Sequence, residues 1–359
     1  MMHVDELCKL KIDALHREAM EQAQERLDGI AKPLDGLGQF ERLLVQMAGI
    51  QGTADVQASP RAILAMCADN GIVAQGVTQT SSEVTAIVAA NMAAGRSSVN
   101  RMAAVGGTQV FVTDIGMEKD VDCENLRRCK VRYATADFSK EPAMTRKETL
   151  QAVEEGICWV QECREKGYRI LGTGEMGIGN TTTATAVGCA LLGLSPAAVT
   201  GRGAGLDDAG FRRKKEVISQ ALVKYDLYRQ DALTALACVG GLDIAGLAGI
   251  FIGGALYHVP IVIDGMITAV AALTADRICP GVRAYMMASH LSREPVTAKV
   301  MEALGLHPVI CGDLALGEGT GAAMLFPLLD MALTVYQLND SFAQVQIGAY
   351  ERFEESEDI

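Results

Sequence analysis

The sequence predicts an α/β protein built on a mostly parallel sheet that is flanked by helices. Short apolar runs of the β type recur along the chain, and each is followed by a longer pattern with helical spacing. This alternation is typical of parallel strands joined by covering helices. Several runs end in Asp or Gly, as strands do when they lead into ligand-facing loops. The predicted strands are Ile63–Asp69, Gln109–Thr113, Tyr168–Gly172, Pro260–Ile263 and Val282–Met287.

Both ends of the chain carry helical patterns. Between Val4 and Ile30, apolar residues lie near helical spacing among charged ones, which predicts a long amphipathic helix. A second, apolar helix is predicted from Thr320 to Leu338. We therefore expect a small helical domain formed by residues 1–40 and 322–359, beside an α/β domain over residues 41–321.

Composition and charge exclude several classes of protein. The chain has 359 residues, 49% of them apolar, and a formal net charge of −12 with its basic residues spread out. This charge would repel a phosphate backbone, so nucleic-acid binding is not expected. The first residues lack a basic stretch followed by an apolar run, so no secretory signal is predicted. Ten cysteines without CxxC spacing are expected to be reduced, as in a cytoplasmic protein.

One segment has the composition of a membrane span. No Asp, Glu, Lys or Arg occurs between Ile244 and Ile263, but His258 and Pro260 interrupt the apolar run. We interpret it as a helix that ends near Tyr257, followed by a buried strand, because parallel strands covered on both faces are continuously apolar. No contact with a membrane is therefore predicted.

The strongest local signal is the glycine-rich segment from Gly172 to Thr183, which follows a predicted strand and opens a helix. Glycines let backbone N–H groups converge, and the helix N-terminus adds positive potential, so the segment suits a phosphate. It also contains the spacing GxGxxG of dinucleotide-binding proteins. However, no acidic residue for the ribose occurs between Met176 and Leu206. An NAD-linked oxidoreductase and a purely structural turn remain as alternatives.

A second glycine-rich loop runs from Thr200 to Asp208 and precedes the basic run Arg212–Lys215. Beside two such loops, one lysine of the run could turn inward and neutralise a phosphate. The alternative is an ordinary solvated basic face. The sequence alone leaves both open.

Glu318 stands between two glycines, just before the apolar helix that begins at Thr320. Glycines on both sides let a substrate approach closely, as acid–base catalysis requires. The alternative is a glutamate that stabilises the helix N-terminus through the helix dipole. The five histidines form neither an HxH nor an HExxH pair, so no metal site is predicted.

Taken together, these segments resemble the family of nicotinate-nucleotide–dimethylbenzimidazole phosphoribosyltransferases, which build the lower-ligand nucleotide of cobalamin. Each motif alone is weak, but their number and order make the match specific. The motifs are Lys32–Gly38, Ala68–Gly71, Pro142–Arg146, Gly174–Thr182, Thr200–Asp208, Gly240–Gly246, Ile263–Gly265, Ser289-His290 and Leu316–Gly321.

The resemblance implies a Rossmann-like sheet and a reaction of nicotinate mononucleotide with an aromatic base, without cofactor or metal. The products would be nicotinate and an α-linked ribose 5-phosphate nucleotide. The resemblance implies that Glu318 is the general base and that Glu175 is a second catalytic carboxylate near the ribose. The implied phosphate- and nucleotide-binding residues are Gly177, Ile178, Gly179, Asn180, Thr181, Gly203, Lys214 and Asp264. The implied acceptor-base pocket comprises Thr80, Ser81, Ile87 and Leu316.

The departures from the family pattern lie mainly in the acceptor half. The segment Val84–Asn91 is apolar where relatives often carry a Gln. We therefore expect the same reaction with an altered base preference: dimethylbenzimidazole, another benzimidazole or purine, or a phenol such as p-cresol. The family implies a homodimer, or a heterodimer with a paralogous subunit. A non-catalytic phosphate-binding subunit remains as an alternative, although the retained Glu318 argues against it.

Overall fold

The computed structural model of the chain describes residue 7 and residues 9–352. Its centre is one six-stranded sheet with the strand order β3-β2-β1-β4-β5-β6, in which every neighbouring pair is parallel. The strands are β1 (Arg61–Ala68), β2 (Gln109–Gly116), β3 (Leu126–Arg128), β4 (Ile170–Met176), β5 (Ile261–Ile263) and β6 (Met286–Ala288). The strand order reverses between β1 and β4, which is where ligands bind in such sheets. The predicted Rossmann-like α/β fold is confirmed.

Helices connect these strands and cover the sheet. In chain order they are α1 (Arg17–Gly29), α2 (Gln39–Gln51), α3 (Glu83–Ala93), α4 (Ser98–Val105), α5 (Arg146–Glu165), α6 (Asn180–Leu192), α7 (Pro196–Val199), α8 (Asp208–Lys224), α9 (Ala232–Val239), α10 (Leu242–Leu256), α11 (Met266–Ile278), α12 (Val296–Leu304) and α13 (Thr320–Leu338). Short 3₁₀ turns occupy Gly71–Gln75, Leu227–Arg229 and Val282–Tyr285.

The core is densest where α10 packs on α5 and on the fully buried strand β1. A Cβ on Gly249 would lie 2.0 Å from the carbonyl oxygen of Val153, so only glycine allows these two helices to approach so closely. The apolar segment that begins at Ile244 is therefore a core helix followed by the buried strand β5, as predicted. Helix α13 is also long and apolar enough to cross a membrane, but half of its apolar window is buried inside the protein.

Some predicted elements differ from the structure, and one observed strand was not predicted. The first helix was expected from Val4, which lies outside the described residues, but α1 begins at Arg17. His16 has an extended backbone, and its Nδ1 accepts the N–H of Ala19 at 3.2 Å, so it caps the helix and fixes where it begins. The strand predicted from Val282 starts only at Met286, after a 3₁₀ turn. Strand β3 was not predicted, because three residues show no alternation.

The chain forms two compact units. Among the described residues, one contains Ser59–Leu325 with residues 7 and 9–13, and the other contains Ala14–Ala58 with residues 326–352. The first unit holds the whole sheet. In the second, α2 packs on α1, and a Cβ on Gly49 would lie 2.7 Å from Met20. We propose these units as the two domains, with α2 in the helical one rather than after a boundary at residue 40.

Candidate active site

A cavity of about 310 Å³ opens at the carboxyl ends of β4, β5 and β6. Its walls include both glycine-rich segments and the Glu318 turn, which lie far apart in the sequence. The carboxyl ends of parallel strands share one edge of the sheet, which brings together Glu175 of β4, Asp264 after β5 and His290 after β6. Among the described residues, no group of three His, Cys, Asp or Glu side chains is arranged to hold a metal ion.

Glu318 occupies a tight turn immediately before α13. Its φ of +63° is in the left-handed region, and Gly317 and Gly319 on either side also have positive φ. A non-glycine residue in this conformation costs about 1–3 kcal/mol, so the surrounding structure must hold it there. The half-buried carboxylate accepts the backbone N–H of Val99, in the first turn of α4, through Oε2 at 3.2 Å. The side chain is thereby fixed at the cavity wall.

Asp264 holds the turn in place. Its Oδ1 accepts the N–H groups of Gly321 at 2.6 Å and Ala322 at 3.3 Å, and its Oδ2 accepts the N–H of Gly319 at 3.1 Å. Burial, reinforced by the charge of Glu175, raises the pKa of Asp264 to about 7 although these amides oppose the shift. Asp264, predicted to bind the nucleotide, lines the cavity, but both of its oxygens accept hydrogen bonds from the protein's own backbone.

Glu175, at the end of β4, lies beside Glu318. It accepts hydrogen bonds from the side-chain amide of Asn180 and from the backbone N–H of Glu318. Burial raises the pKa of Glu175 to about 7; the two hydrogen bonds lower it and the charge of Glu318 adds to the rise. A Cβ on Gly317 would lie 2.5 Å from Glu175 Oε1, which explains the glycine there. The two carboxylates named from the sequence therefore line the same cavity.

Thr181 and Gly203 line another part of the cavity, and together with the neighbouring Lys214 they form a candidate anion site. Lys214 is fully buried, and its Nζ donates to Thr181 Oγ1 at 2.8 Å. Burial lowers the pKa of Lys214 to about 8, and the charge of Glu294 opposes this shift. A Cβ on Gly203 would lie 2.8 Å from Thr181 Oγ1 and 3.5 Å from Lys214 Nζ. Ammonium, hydroxyl and loop backbone thus converge, while Arg212 and Arg213 of the same basic run are exposed.

Gly172 and Gly174 of the GxGxxG pattern do not form a phosphate-binding turn. Both lie inside β4, paired with Ile63 and Ala65 of β1. A Cβ on Gly174 would lie 2.4 Å from the carbonyl oxygen of Glu318. Gly174 is therefore needed for the close approach of the Glu318 turn to the sheet. This observation argues against the dinucleotide interpretation.

Comparisons with known proteins agree with this site. A family model described as a phosphoribosyltransferase matches residues 12–347. The chain is 44% identical over 343 residues to the nicotinate-nucleotide–dimethylbenzimidazole phosphoribosyltransferase of Acetivibrio thermocellus, covering 95% of this chain and 97% of that protein. The chain belongs to the nicotinate-nucleotide–dimethylbenzimidazole phosphoribosyltransferase family. The family resemblance inferred from the motifs is confirmed, and so is the expectation that the protein is an enzyme of the glycosyltransferase type.

Two further relatives extend the comparison. The family member from Chloroflexus aggregans is 42% identical over 338 residues, covering 94% of this chain and 96% of its own. The crystal structure of CobT from Thermus thermophilus superposes with a TM-score of 0.88 at 37% identity, covering 92% of this chain and 99% of that one. The phosphoribosyltransferase fold therefore extends over nearly the whole chain.

The predicted acceptor pocket of this phosphoribosyltransferase is only partly assembled in the structure. Of its four residues, Leu316 alone lines the cavity. Thr80 and Ser81 are exposed, and Ile87 is 60% exposed. Val88, the next residue of α3, lines the cavity instead. Successive helical residues point about 100° apart, so a pattern read from the sequence can select the wrong neighbour.

The cavity of this phosphoribosyltransferase is also lined by polar residues that were not among the predicted site residues, including His290, Ser292 and Glu294. His290 is buried, and burial lowers its pKa to about 4, so its imidazole is neutral near pH 7. Its Nδ1 lies 3.2 Å from Ser289 Oγ. The Ser289-His290 motif was the available signal, but a single histidine is more often structural.

Proposed function

We propose that this phosphoribosyltransferase transfers the 5-phosphoribosyl group of nicotinate mononucleotide to an aromatic base, giving the α-linked nucleotide used in cobamide assembly. The observation that carries the proposal is one cavity with two chemically different ends. Glu318 and Glu175 line the part that the proposal takes as one end, and Thr181 and Gly203 line the part taken as the other. Behind Thr181 lies the buried Lys214, whose Nζ donates to Thr181 Oγ1. A nucleotide presents its anomeric carbon to the first end and its 5-phosphate to the second. The names of the relatives supply the two substrates.

The reaction follows from this placement. An acceptor atom attacks C1′ of the ribose from the face opposite to nicotinate, and the bond from C1′ to the pyridine nitrogen breaks. The electrons of that bond neutralise the pyridinium, so nicotinate leaves without needing a proton. The acceptor loses one proton, which Glu318 takes as general base. Attack from the opposite face inverts C1′ and gives the α linkage.

Glu175 and the anion site have supporting roles. Positive charge develops on the ribose as the C1′ bond breaks, and an ionised Glu175 beside it stabilises that charge. The phosphate, held by Lys214 and the loop backbone, fixes the ribose so that acceptor and leaving group occupy opposite faces. In this proposal Gly177, Ile178 and Gly179 add backbone N–H groups to the phosphate site where α6 begins. Asn180, the first residue of α6, also donates its side-chain amide to Glu175.

The acceptor is a flat aromatic base in this proposal, and dimethylbenzimidazole is the first candidate because it appears in the relatives' names. A phenol such as p-cresol is the second, because Val88 and Leu316 give the wall apolar side chains that can cover a ring without hydrogen bonding to it. Another benzimidazole or a purine would fit the same wall.

A competition experiment tests the proposal. The purified chain is given nicotinate mononucleotide with dimethylbenzimidazole and p-cresol together, and the products are identified by mass. A benzimidazole nucleotide supports the first candidate and a phenolyl nucleotide supports the second. Nicotinate mononucleotide that remains unconsumed with either acceptor contradicts the proposed function.

We also propose a homodimer, with a paralogous heterodimer as the alternative. Helix α13 carries the apolar stripe Met324, Leu328, Met331, Val335 and Leu338. Its spacing of four and three residues is that of a helix–helix seam. Met331 is 64% and Leu338 76% exposed, so a second copy could bury them. The mass of the purified chain in solution, by light scattering, distinguishes one chain from two.

A cytoplasmic location completes the proposal. Every cysteine in the described part of the chain is a free thiol. Free thiols persist in a reducing compartment. Fractionation of the producing cell tests this location, and recovery outside the cytoplasm would contradict it.

A further inference from the structure

The carboxylate of Glu294 lies inside the second glycine-rich loop. Its Oε1 accepts the backbone N–H of Gly203 at 3.1 Å. A Cβ on Gly201 would lie 1.7 Å from its Oε2, so the loop backbone closes on this carboxylate in a way that only glycine allows. Oε2 itself is buried and has no hydrogen-bond partner among the residues that the structure describes. A buried carboxylate oxygen without a hydrogen-bond partner costs free energy, which an arrangement that pairs this oxygen would recover.

This carboxylate shares its surroundings with the anion site. The Gly203 backbone that it contacts also approaches Thr181 Oγ1 and Lys214 Nζ. The negative charge of Glu294 is close enough to oppose the shift that burial imposes on the pKa of Lys214. A phosphate bound by Lys214 would need the same N–H groups of the loop. Two anions at one donor repel each other, so both cannot occupy this place.

We propose that Glu294 is an internal competitor for the substrate phosphate, and thereby a residue that limits how tightly the free enzyme binds phosphorylated nucleosides. In the free enzyme the carboxylate occupies the donor at Gly203 and keeps the loop closed. A ligand must bring its own phosphate to displace it, because another anion is needed to replace the carboxylate at the Gly203 amide, beside the positive charge of Lys214. The inference rests on the proposed function, which assigns this end of the cavity to the 5-phosphate.

The test compares Glu294→Gln with wild type. The amide oxygen can still accept the Gly203 N–H, but the charge is removed. We expect inorganic phosphate and nicotinate mononucleotide to bind on the order of tenfold more tightly, since the repulsion between like charges is relieved. Binding of nicotinate riboside, which lacks the phosphate, should not change. Calorimetric titration gives all three dissociation constants.

Glu302→Gln is the matched control. It also replaces one glutamate by glutamine, but at an exposed residue of α12 that pairs with Lys299. Weaker nucleotide binding by Glu294→Gln overturns the inference, since the carboxylate would then contact the substrate directly. Equal affinities in the Glu294→Gln and Glu302→Gln variants also overturn it. If Glu294→Gln does not fold, as judged by its melting curve, Glu294→Ala is used for the same comparison.

The same titrations separate the inference from the proposed function. If wild type binds nicotinate mononucleotide and phosphate but Glu294→Gln binds them no better, only the role of Glu294 is wrong. If folded wild type binds neither ligand, the assignment of the anion site is wrong, and the inference is wrong with it.

Discussion

The chemistry assigned to Glu318 depends on neighbouring groups that hold its carboxylate at the cavity wall. The left-handed turn sets the direction of the side chain, and the N–H of Val99 fixes one oxygen. A glutamine at this position can still accept that N–H but cannot take a proton. We expect Glu318→Gln to lower kcat by about 10²–10⁴-fold, the usual contribution of a general base.

The binding of nicotinate mononucleotide should be nearly unchanged in this variant, because its phosphate site is intact. Steady-state rates and equilibrium titration separate the two effects. An unchanged kcat would mean that another group receives the proton of the acceptor.

In the proposed reaction, the pH dependence is set by Glu175, which lines the cavity, and by Lys214, which lies behind Thr181. Glu175 must be ionised to stabilise positive charge on the ribose, and its pKa of about 7 makes activity rise as pH increases through 7. Lys214 must be protonated to hold the phosphate, and its pKa of about 8 makes affinity fall as pH increases beyond 8. We therefore expect a narrow, bell-shaped profile of kcat/KM for nicotinate mononucleotide.

The Glu175→Gln variant tests whether Glu175 causes the rise of activity on the acid side of this profile. The variant should be slower, and the rise through pH 7 should disappear while the fall above pH 8 remains. An acid limb that persists unchanged in Glu175→Gln would assign it to another group, such as Asp264, whose pKa is also raised to about 7.

Among the structural elements, the start of α13 is the most directly linked to activity. Asp264 accepts three backbone N–H groups there with its two oxygens. Asp264→Asn places an NH₂ donor against one of these N–H groups and leaves buried donors unpaired, which costs about 1–3 kcal/mol for each. We expect a lower Tm and a lower kcat, since the Glu318 turn loses its support. A variant with unchanged Tm and kcat would show that the turn is held elsewhere.

The contact between α5 and α10 allows a prediction that concerns only the stability of the fold. Gly249→Ala places a Cβ 2.0 Å from the carbonyl oxygen of Val153, so the helices must separate. Overpacking of this kind typically costs about 1–3 kcal/mol, and we expect a clear fall in Tm. Gly29→Ala is the control, because nothing lies within 4 Å of the added Cβ. Equal melting temperatures for the two variants would contradict the close packing.

At the scale of the whole molecule, the sequence predicts those features that depend on the pattern of neighbouring residues, such as buried strands and glycine-rich turns. Buried parallel strands are continuous apolar runs, so β1 and β5 were found from composition alone. The glycine-rich segments and Glu318 could also be named, because positive φ and close backbone approach restrict these positions to few residue types. The sheet then brings them to one edge.

What the sequence could not supply is the direction of side chains in loops and on helices. Lys214 and Arg213 are equivalent in the basic run, yet only the lysine points inward. Val88 rather than Ile87 lines the cavity for the same reason. Glu294 carries no local signal, since its position in the loop at Gly203 depends on contacts between distant segments. Tertiary packing decides these cases.

The measurement that bears most directly on the assigned chemistry is the anomeric configuration of the product. The purified chain is incubated with nicotinate mononucleotide and dimethylbenzimidazole, and the nucleotide is examined by NMR. Displacement on the face opposite to nicotinate predicts an α-linked ribose 5-phosphate together with one equivalent of free nicotinate. A β-linked product, or nicotinate released without a new nucleotide, would contradict a direct transfer with Glu318 as the base.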